Sequence, residues 1–251
     1  MGRPFFRAIE RNQMNYFTDI HIHMLSNVDD GASSQKVMRD MLDLAYQDGT
    51  RVFCLTPHFH PAYYGDSIQA VESRYSELVD YANEKYPDVR LFLGNELHYS
   101  LNCLEWLNQG ICKTLNHTRN VLVDFSQNVD RKTIFDAVYR LLNNGYIPVV
   151  AHVERYDDLP IDCRDILRLK GCGAYIQIDA SSLFGGWGSI SRIKSRRMIK
   201  KQLVDLVCSD AHDLIRRPPQ LSAAYQYVCR KCGLQYADQL FSETPQIILE
   251  I

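Results

Sequence analysis

The sequence predicts an α/β protein whose parallel strands form a single barrel, closed or distorted. Three observations carry that expectation. Short apolar runs rich in β-branched and aromatic residues alternate with longer segments of helical spacing. The alternation repeats seven times, which implies parallel strands with right-handed crossovers and favours a barrel over an open doubly wound sheet. No Pro/Ser-rich linker, composition shift or internal repeat divides the 251 residues, and α/β barrels of about 250 residues form single domains.

Each element has its own local reason. Residues 16–23 read as the first strand. Ser33 or Ser34 then caps a helix whose Val37, Met38, Met41, Leu42 and Ala45 share one face up to Gly49. Residues 51–56 (RVFCLT) are the second strand. Ile68, Val71, Tyr75, Leu78, Val79 and Ala82 mark an amphipathic helix that stops before Pro87. Residues 89–97 are the third strand and 120–126 the fourth, with a short helix around 104–107 between them. A helix over 131–143 ends at Gly145, and 146–152 is the fifth strand. A helix over 163–170 ends near Gly171, and 174–179 is the sixth. The loop FGGWG (184–188) leads into a basic helix, 190–202, and then to strand seven, 204–210. Helices near 219–232 and 236–241 close the pattern.

Composition narrows the function classes. Hydrophobic residues make up 46% and charged residues 23%, as in ordinary soluble globular proteins. A net charge of −2 offers no basic excess, so nucleic acid is not the expected partner. The eight cysteines are scattered without a disulfide framework. Residues 1–16 hold no apolar core of a signal peptide, and no apolar run approaches the length that spans a bilayer. A cytoplasmic protein with reduced thiols and no integral membrane segment is expected.

The metal-ligand residue types fall at one end of the strands. His21 and His23 (DIHIH) alternate on strand one and so share a face. His58 follows strand two, Glu96 ends strand three, and Asp124 lies late in strand four. His152 closes strand five, while Asp210 and His212 (SDAH) close strand seven. These are C-terminal strand ends, where barrel enzymes build their active sites. Asp30, from the Asp29-Asp30-Gly31 loop, extends the set. Imidazole and carboxylate without thiolate suit Mn²⁺, Fe²⁺ or Zn²⁺, and the donors suffice for two or three ions. Two ions about 3.5–4 Å apart clamp the attacking and leaving oxygens of a displacement, which points to phosphate-ester hydrolysis. Arg155 (HVERY) and Arg217 (RRPP) supply guanidinium forks for the phosphate. Rival chemistries lack their motifs: there is no C-x5-R, D-x-D, G-x-S-x-G or G-x-x-x-x-G-K.

Together, DIHIHMLSNVDDG (19–31), TPH (56–58), GNELHY (94–99), HVERY (152–156), SDAH (209–212) and RPP (217–219) resemble the bacterial PHP-type (polymerase and histidinol phosphatase) protein-tyrosine phosphatases of the CpsB/CapC/YwqE type. The resemblance implies a distorted (β/α)₇ barrel with a three-ion site, typically of manganese, with iron, zinc or magnesium as the other candidates. It implies that His21, His23, Glu96 and Asp210 hold one ion. Glu96, Asp124 and His152 would hold the second, and Asp30, His58 and His212 the third. Arg155 and Arg217 match the phosphate-binding arginines. The implied substrate is phosphotyrosine on the cytoplasmic tail of a tyrosine autokinase that governs capsule or exopolysaccharide synthesis. Two departures stand out. Asp124 occupies a position where the resemblance calls for Glu, one methylene longer. The chain also starts earlier, so residues 1–15 are expected to be an N-terminal extension foreign to the family, with 16–251 as the phosphatase domain.

His60 and Tyr63, with Tyr64, are placed at the substrate mouth, while His98, His117 and Asp179 are read as structural. The Cys229/Cys232 pair reads as ordinary thiols. The basic helix reads as a solvated face or as a docking patch for anionic lipid or the kinase, which would bring the protein close to the membrane surface. Two other functions fit the same motifs less well. One is a phosphoesterase for a small metabolite such as histidinol phosphate, the other a non-catalytic, metal-stabilised regulator; the complete ligand set and both arginines argue against the regulator.

Overall fold

Every strand pair in the computed structural model is parallel, across residues 16–64 and 68–251, which are the residues described. The extension expected at 1–15 lies outside them. In chain order the elements are β1 (Phe17–Ile22), α1 (Gln35–Asp48), β2 (Thr50–Leu55), β3 (His58–Phe59), α2 (Pro61–Tyr64), α3 (Val71–Lys85), β4 (Arg90–Leu93) and β5 (Glu96–His98). They continue with α4 (Cys103–Asn108), β6 (Asn120–Asp124), α5 (Arg131–Asn143), β7 (Ile147–Val150), α6 (Arg164–Cys172), β8 (Tyr175–Asp179), α7 (Gly188–Lys200) and β9 (Leu206–Cys208). Helices α8 (Ser222–Cys232), α9 (Leu234–Asp238) and α10 (Thr244–Leu249) follow. No helix among the described residues is long and apolar enough to cross a membrane.

Local chemistry sets the helix ends. Ser34, not Ser33, caps α1 by accepting from the Val37 N–H at 3.2 Å, and Gly49 ends it at φ 114. The expected face of Met38, Met41, Leu42 and Ala45 is buried. Asp130 caps α5 through Thr133 N at 2.9 Å. Helix α6 ends at Gly173, whose φ of 102 a glycine adopts freely, rather than near Gly171.

The strand count departs from expectation. Nine strands replace seven among the described residues, in two sheets ordered β1-β2-β4 and β3-β5-β6-β7-β8-β9. The third expected strand breaks in two, and a short strand not expected, β3, follows the second. Pro57 has no N–H to carry the ladder past β2. Gly94 packs so closely that a Cβ there would lie 2.9 Å from Leu115 Cδ2. The sheets stay joined, since Gly94 N donates to Leu55 O (2.9 Å) and Glu96 N to Pro57 O (3.1 Å). Beyond β9, Asp210 N donates to His21 O and His23 N to Ala211 O, both at 2.9 Å. The parallel sheet therefore curls until its last strand meets its first.

Helix α10, absent from the sequence reading, covers the opposite end. Its Ile248 and Leu249 are buried with Ile20, Val52, Leu122 and Val149, and Asn120 Nδ2 donates to Ile248 O at 2.8 Å. With that end filled, the carboxyl ends of the strands are left for the side chains that carry chemistry.

Candidate metal centre

Glu96 stands at the centre. Its Oε1 is 2.9 Å from His152 Nε2 and 3.2 Å from His21 Nε2. Its Oε2 is 2.8 Å from His58 Nδ1 and 3.2 Å from His23 Nε2. Asp210 Oδ1 lies 3.3 Å from His21 Nε2 and 3.4 Å from His23 Nε2. Asp30 Oδ1 bridges the far side, 3.3 Å from both His58 Nε2 and His212 Nε2. The donors form four overlapping groups: His23–Asp30–His58–His212, His21–His23–Glu96, His21–His152–Asp210 and Glu96–Asp124–His152. In each, the ligand atoms lie within 4.8 Å of one another. Each of the nine residues expected to ligate metal falls in at least one group.

The imidazoles are oriented by groups behind them. Gln177 Nε2 donates to Asp179 Oδ1 (3.0 Å), which turns Gln177 Oε1 toward His21 Nδ1 (3.3 Å) and the His152 backbone N–H (2.6 Å). Asp29 Oδ2 accepts from His23 Nδ1 at 2.8 Å and from the His58 N–H at 3.0 Å. His212 Nδ1 donates to Asp210 O at 3.0 Å. In all three histidines the Nδ1 side is engaged, leaving Nε2 to face the cluster, the usual arrangement of metal-ligating histidines. His21 Nε2, His23 Nε2, His212 Nε2 and Glu96 Oε2 are buried yet make no well-formed hydrogen bond. Such orphaned atoms cost about 1–3 kcal/mol each. Several converging on one space fit divalent cations.

Backbone strain marks the same place. His152 has φ 30 and Asp210 φ 49, in the left-handed region that disfavours any residue with a Cβ. Gly31 serves the opposite purpose: a Cβ there would collide with His23 O and lie 2.7 Å from His23 Cβ. Only glycine lets the Asp29-Asp30 loop fold back onto the histidines.

The charges are strongly coupled. Burial alone would neutralise Glu96, but His21 and His58 hold it well below the usual carboxylate range. Asp210 is likewise held low against burial, by Arg155 and then His21. For His23, burial and the charge of His58 are outweighed by Asp29 and Asp210, which lift it to about 10. Burial and the charge of His23 push His212 down to about 4.

A cationic wall adjoins the donors. Arg155 Nη2 donates to Asp179 and Asp210, and Arg217 Nη2 donates to Asp210 Oδ2 at 2.7 Å. The Trp187 ring lies 3.6 Å from the Arg155 guanidinium and 5.0 Å from that of Arg217. One cleft is lined by these three residues together with Glu96, Asp124 and His152. The Nε atoms of both arginines remain buried without a partner, donors in waiting for an anion.

Other residues flank the centre. Asp179, read as structural, holds Arg155, and His98, also read as structural, donates from Nδ1 to Asp124 Oδ1 at 3.0 Å. His60 lies beside His98 (4.8 Å between ring centroids) and Tyr63 (4.4 Å), with Tyr63 78% exposed. Asp29, Gln177 and Trp187 were not anticipated. The i, i+2 spacing of Gln177 and Asp179 on one strand was the signal available for Gln177. On α7, Lys194 turns inward and donates to Tyr156 O at 2.6 Å. Arg192, Arg196, Arg197 and Lys200 stay exposed, and none pairs with a carboxylate among the described residues.

Fold and site define a class: parallel α/β proteins with a candidate histidine–carboxylate metal centre at the carboxyl ends of the strands. Within it, the chain belongs to the CpsB/CapC family of capsular polysaccharide synthesis, which matches residues 17–250. It is 32% identical over 237 residues to the tyrosine-protein phosphatase CpsB of Streptococcus agalactiae serotype III (strain NEM316), covering 92% of this chain and 98% of that one. It is 30% identical over 236 residues to CpsB of Streptococcus pneumoniae, covering 92% and 97%. Among solved structures it matches one from work on YwqE of Bacillus subtilis and CpsB of S. pneumoniae, described as metal-dependent tyrosine phosphatases. The TM-score is 0.82 at 26% identity, covering 93% of this chain and 94% of that one. A phosphotriesterase homology protein from Escherichia coli shares the fold, with a TM-score of 0.57 at 14% identity, covering 94% of this chain and 99% of that one.

Proposed function

We propose that this protein is a metal-dependent protein-tyrosine phosphatase that hydrolyses phosphotyrosine on the cytoplasmic tail of a bacterial tyrosine autokinase, in control of capsule or exopolysaccharide synthesis. One observation carries the reading: the orphaned donors around Glu96 and the unpartnered Nε atoms of Arg155 and Arg217 belong to one continuous cation-and-anion site. Family membership and the tyrosine phosphatases it resembles supply the substrate class.

In this reading His21, His23, Glu96 and Asp210 hold one ion, Glu96, Asp124 and His152 a second, and Asp30, His58 and His212 a third. Manganese is the proposed metal, ahead of iron, zinc or magnesium. When bound, the ions supply Lewis acidity and an activated water. The protein's own groups do the rest. Arg155 and Arg217 grip the non-bridging phosphate oxygens, where transition-state charge collects. Asp179 and Trp187 keep Arg155 in place. His60 and Tyr63 are the side chains proposed to meet the tyrosine of the substrate. The leaving phenolate has a pKa of about 10, so it departs with little protonation.

Counting β2 with β3 and β4 with β5 as single interrupted strands, residues 16–251 form one domain of seven β/α units. The unpaired cations of α7 suit a cytoplasmic protein working close to the membrane surface where its kinase partner resides; nucleic acid is no part of the reading. The test is phosphate release from a phosphotyrosine peptide, abolished by EDTA and restored by Mn²⁺, alongside histidinol phosphate as the competing substrate. Faster turnover of histidinol phosphate would favour the metabolite reading. A protein inert toward both and toward p-nitrophenyl phosphate would be a regulator.

A further inference from the structure

Strand β5 (Glu96–His98) presents two side chains on the same face, two residues apart. Glu96 meets four histidines. His98 instead stands beside Asp124, because the parallel register pairs those two residues across β5 and β6. The Tyr99 N–H donates to Asp124 O at 3.0 Å, closing the backbone side of the pair. His98 Nδ1 meets Asp124 Oδ1 at 3.0 Å and is the sole hydrogen-bond donor to that carboxylate among the described residues. Asp124 shares a donor group with Glu96 and His152, and its side chain is 13% exposed. Without a partner, a short carboxylate at the edge of the cleft would turn to water.

We infer that His98 is a positioning residue for the cation position formed by Glu96, Asp124 and His152. Its Nδ1–H fixes one Asp124 oxygen, so that the carboxylate serves the cation with the other. The inference rests on the metal reading above. A plain surface ion pair would give His98 no selective effect on one cation, and that difference is measurable.

The experiment titrates Mn²⁺ into metal-stripped wild type, His98→Ala and His98→Asn, following free Mn²⁺ by electron paramagnetic resonance. Asn places its amide Nδ2 close to where the imidazole Nδ1 stands. His98→Ala is expected to weaken one class of Mn²⁺ sites by about 10–100-fold, the range for outer-shell partners of metal ligands, and to leave the others unchanged. His98→Asn is expected to recover most of that loss. Added to Asp124→Asn, His98→Ala should cost little more at that class. Thermal unfolding in EDTA should match wild type for both His98 variants, whose ring position is 27% exposed. Should the alanine variant fold poorly, the asparagine variant against His98→Leu makes the same comparison. Unchanged Mn²⁺ affinities in His98→Ala, equal weakening of every class, or an asparagine variant no better than alanine would overturn the inference. If wild type takes up Mn²⁺ and releases phosphate while His98→Ala matches it, this inference alone fails. A wild type that takes up no Mn²⁺ overturns the metal reading and this one together.

Discussion

Glu96 Oε1 lies 2.9 Å from His152 Nε2, joining the start of β5 to the second residue beyond β7. The contact is bought with backbone strain, since His152 holds φ 30 to present its ring. A glycine would occupy that backbone conformation more cheaply and offer no ligand.

That strain can be isolated. His152→Gly and His152→Ala remove the same imidazole but differ in their tolerance of a positive φ. In EDTA, the glycine variant should be more stable than the alanine variant by about 1 kcal/mol in urea unfolding. Equal stabilities would mean that the turn relaxes once the imidazole is gone.

The two arginines should separate activity from stability. Arg155 satisfies two buried carboxylates, Asp179 and Asp210, so Arg155→Ala strands buried charge and should cost about 3–5 kcal/mol as well as activity. Among the described residues the one carboxylate Arg217 pairs with is Asp210, which keeps Arg155, so Arg217→Ala should lower kcat/KM by about 100-fold or more with a smaller effect on unfolding. Parallel denaturation and kinetics of both variants check this.

Metal and protons should compete. His23, lifted to about 10, is protonated near neutral pH until a cation displaces the proton. Mn²⁺ binding should release protons, seen as a dependence of calorimetric heat on buffer ionisation enthalpy, and affinity should rise with pH. In EDTA the sign reverses for stability. A folded pKa above the unfolded 6.5 gives stabilisation that is full below 6.5 and lost as pH rises through about 10. His23→Gln should flatten that decline; an unchanged profile would assign it to other groups.

Gly31→Ala should disturb the Asp30 side of the centre. The new Cβ meets His23 O, so the loop must lift and carry Asp30 away from His58 and His212. Mn²⁺ titration should show one class of sites weakened, with a stability loss of about 1–3 kcal/mol from the overpacking. Full retention of all Mn²⁺ sites would show that the loop adapts.

Much of this was legible in the chain itself. The two-residue period of His21 and His23, the helical spacing of Met38, Met41 and Leu42, and the ligand types at the strand ends are local signals, set by backbone geometry within a few residues. The order of β and α segments, the parallel pairing and the candidate donors follow from them. Tertiary structure decided what depends on distant partners. It added a short strand beyond Pro57, whose missing N–H ends the ladder of β2, and broke another at Gly94, where the packing of Leu115 intervenes. It also gave His98 to Asp124 across 26 positions and Gln177 to His21 across 156. An imidazole or carboxamide looks the same in sequence whether it is structural or supports a ligand. Its role is set by which atom the fold brings within hydrogen-bonding reach.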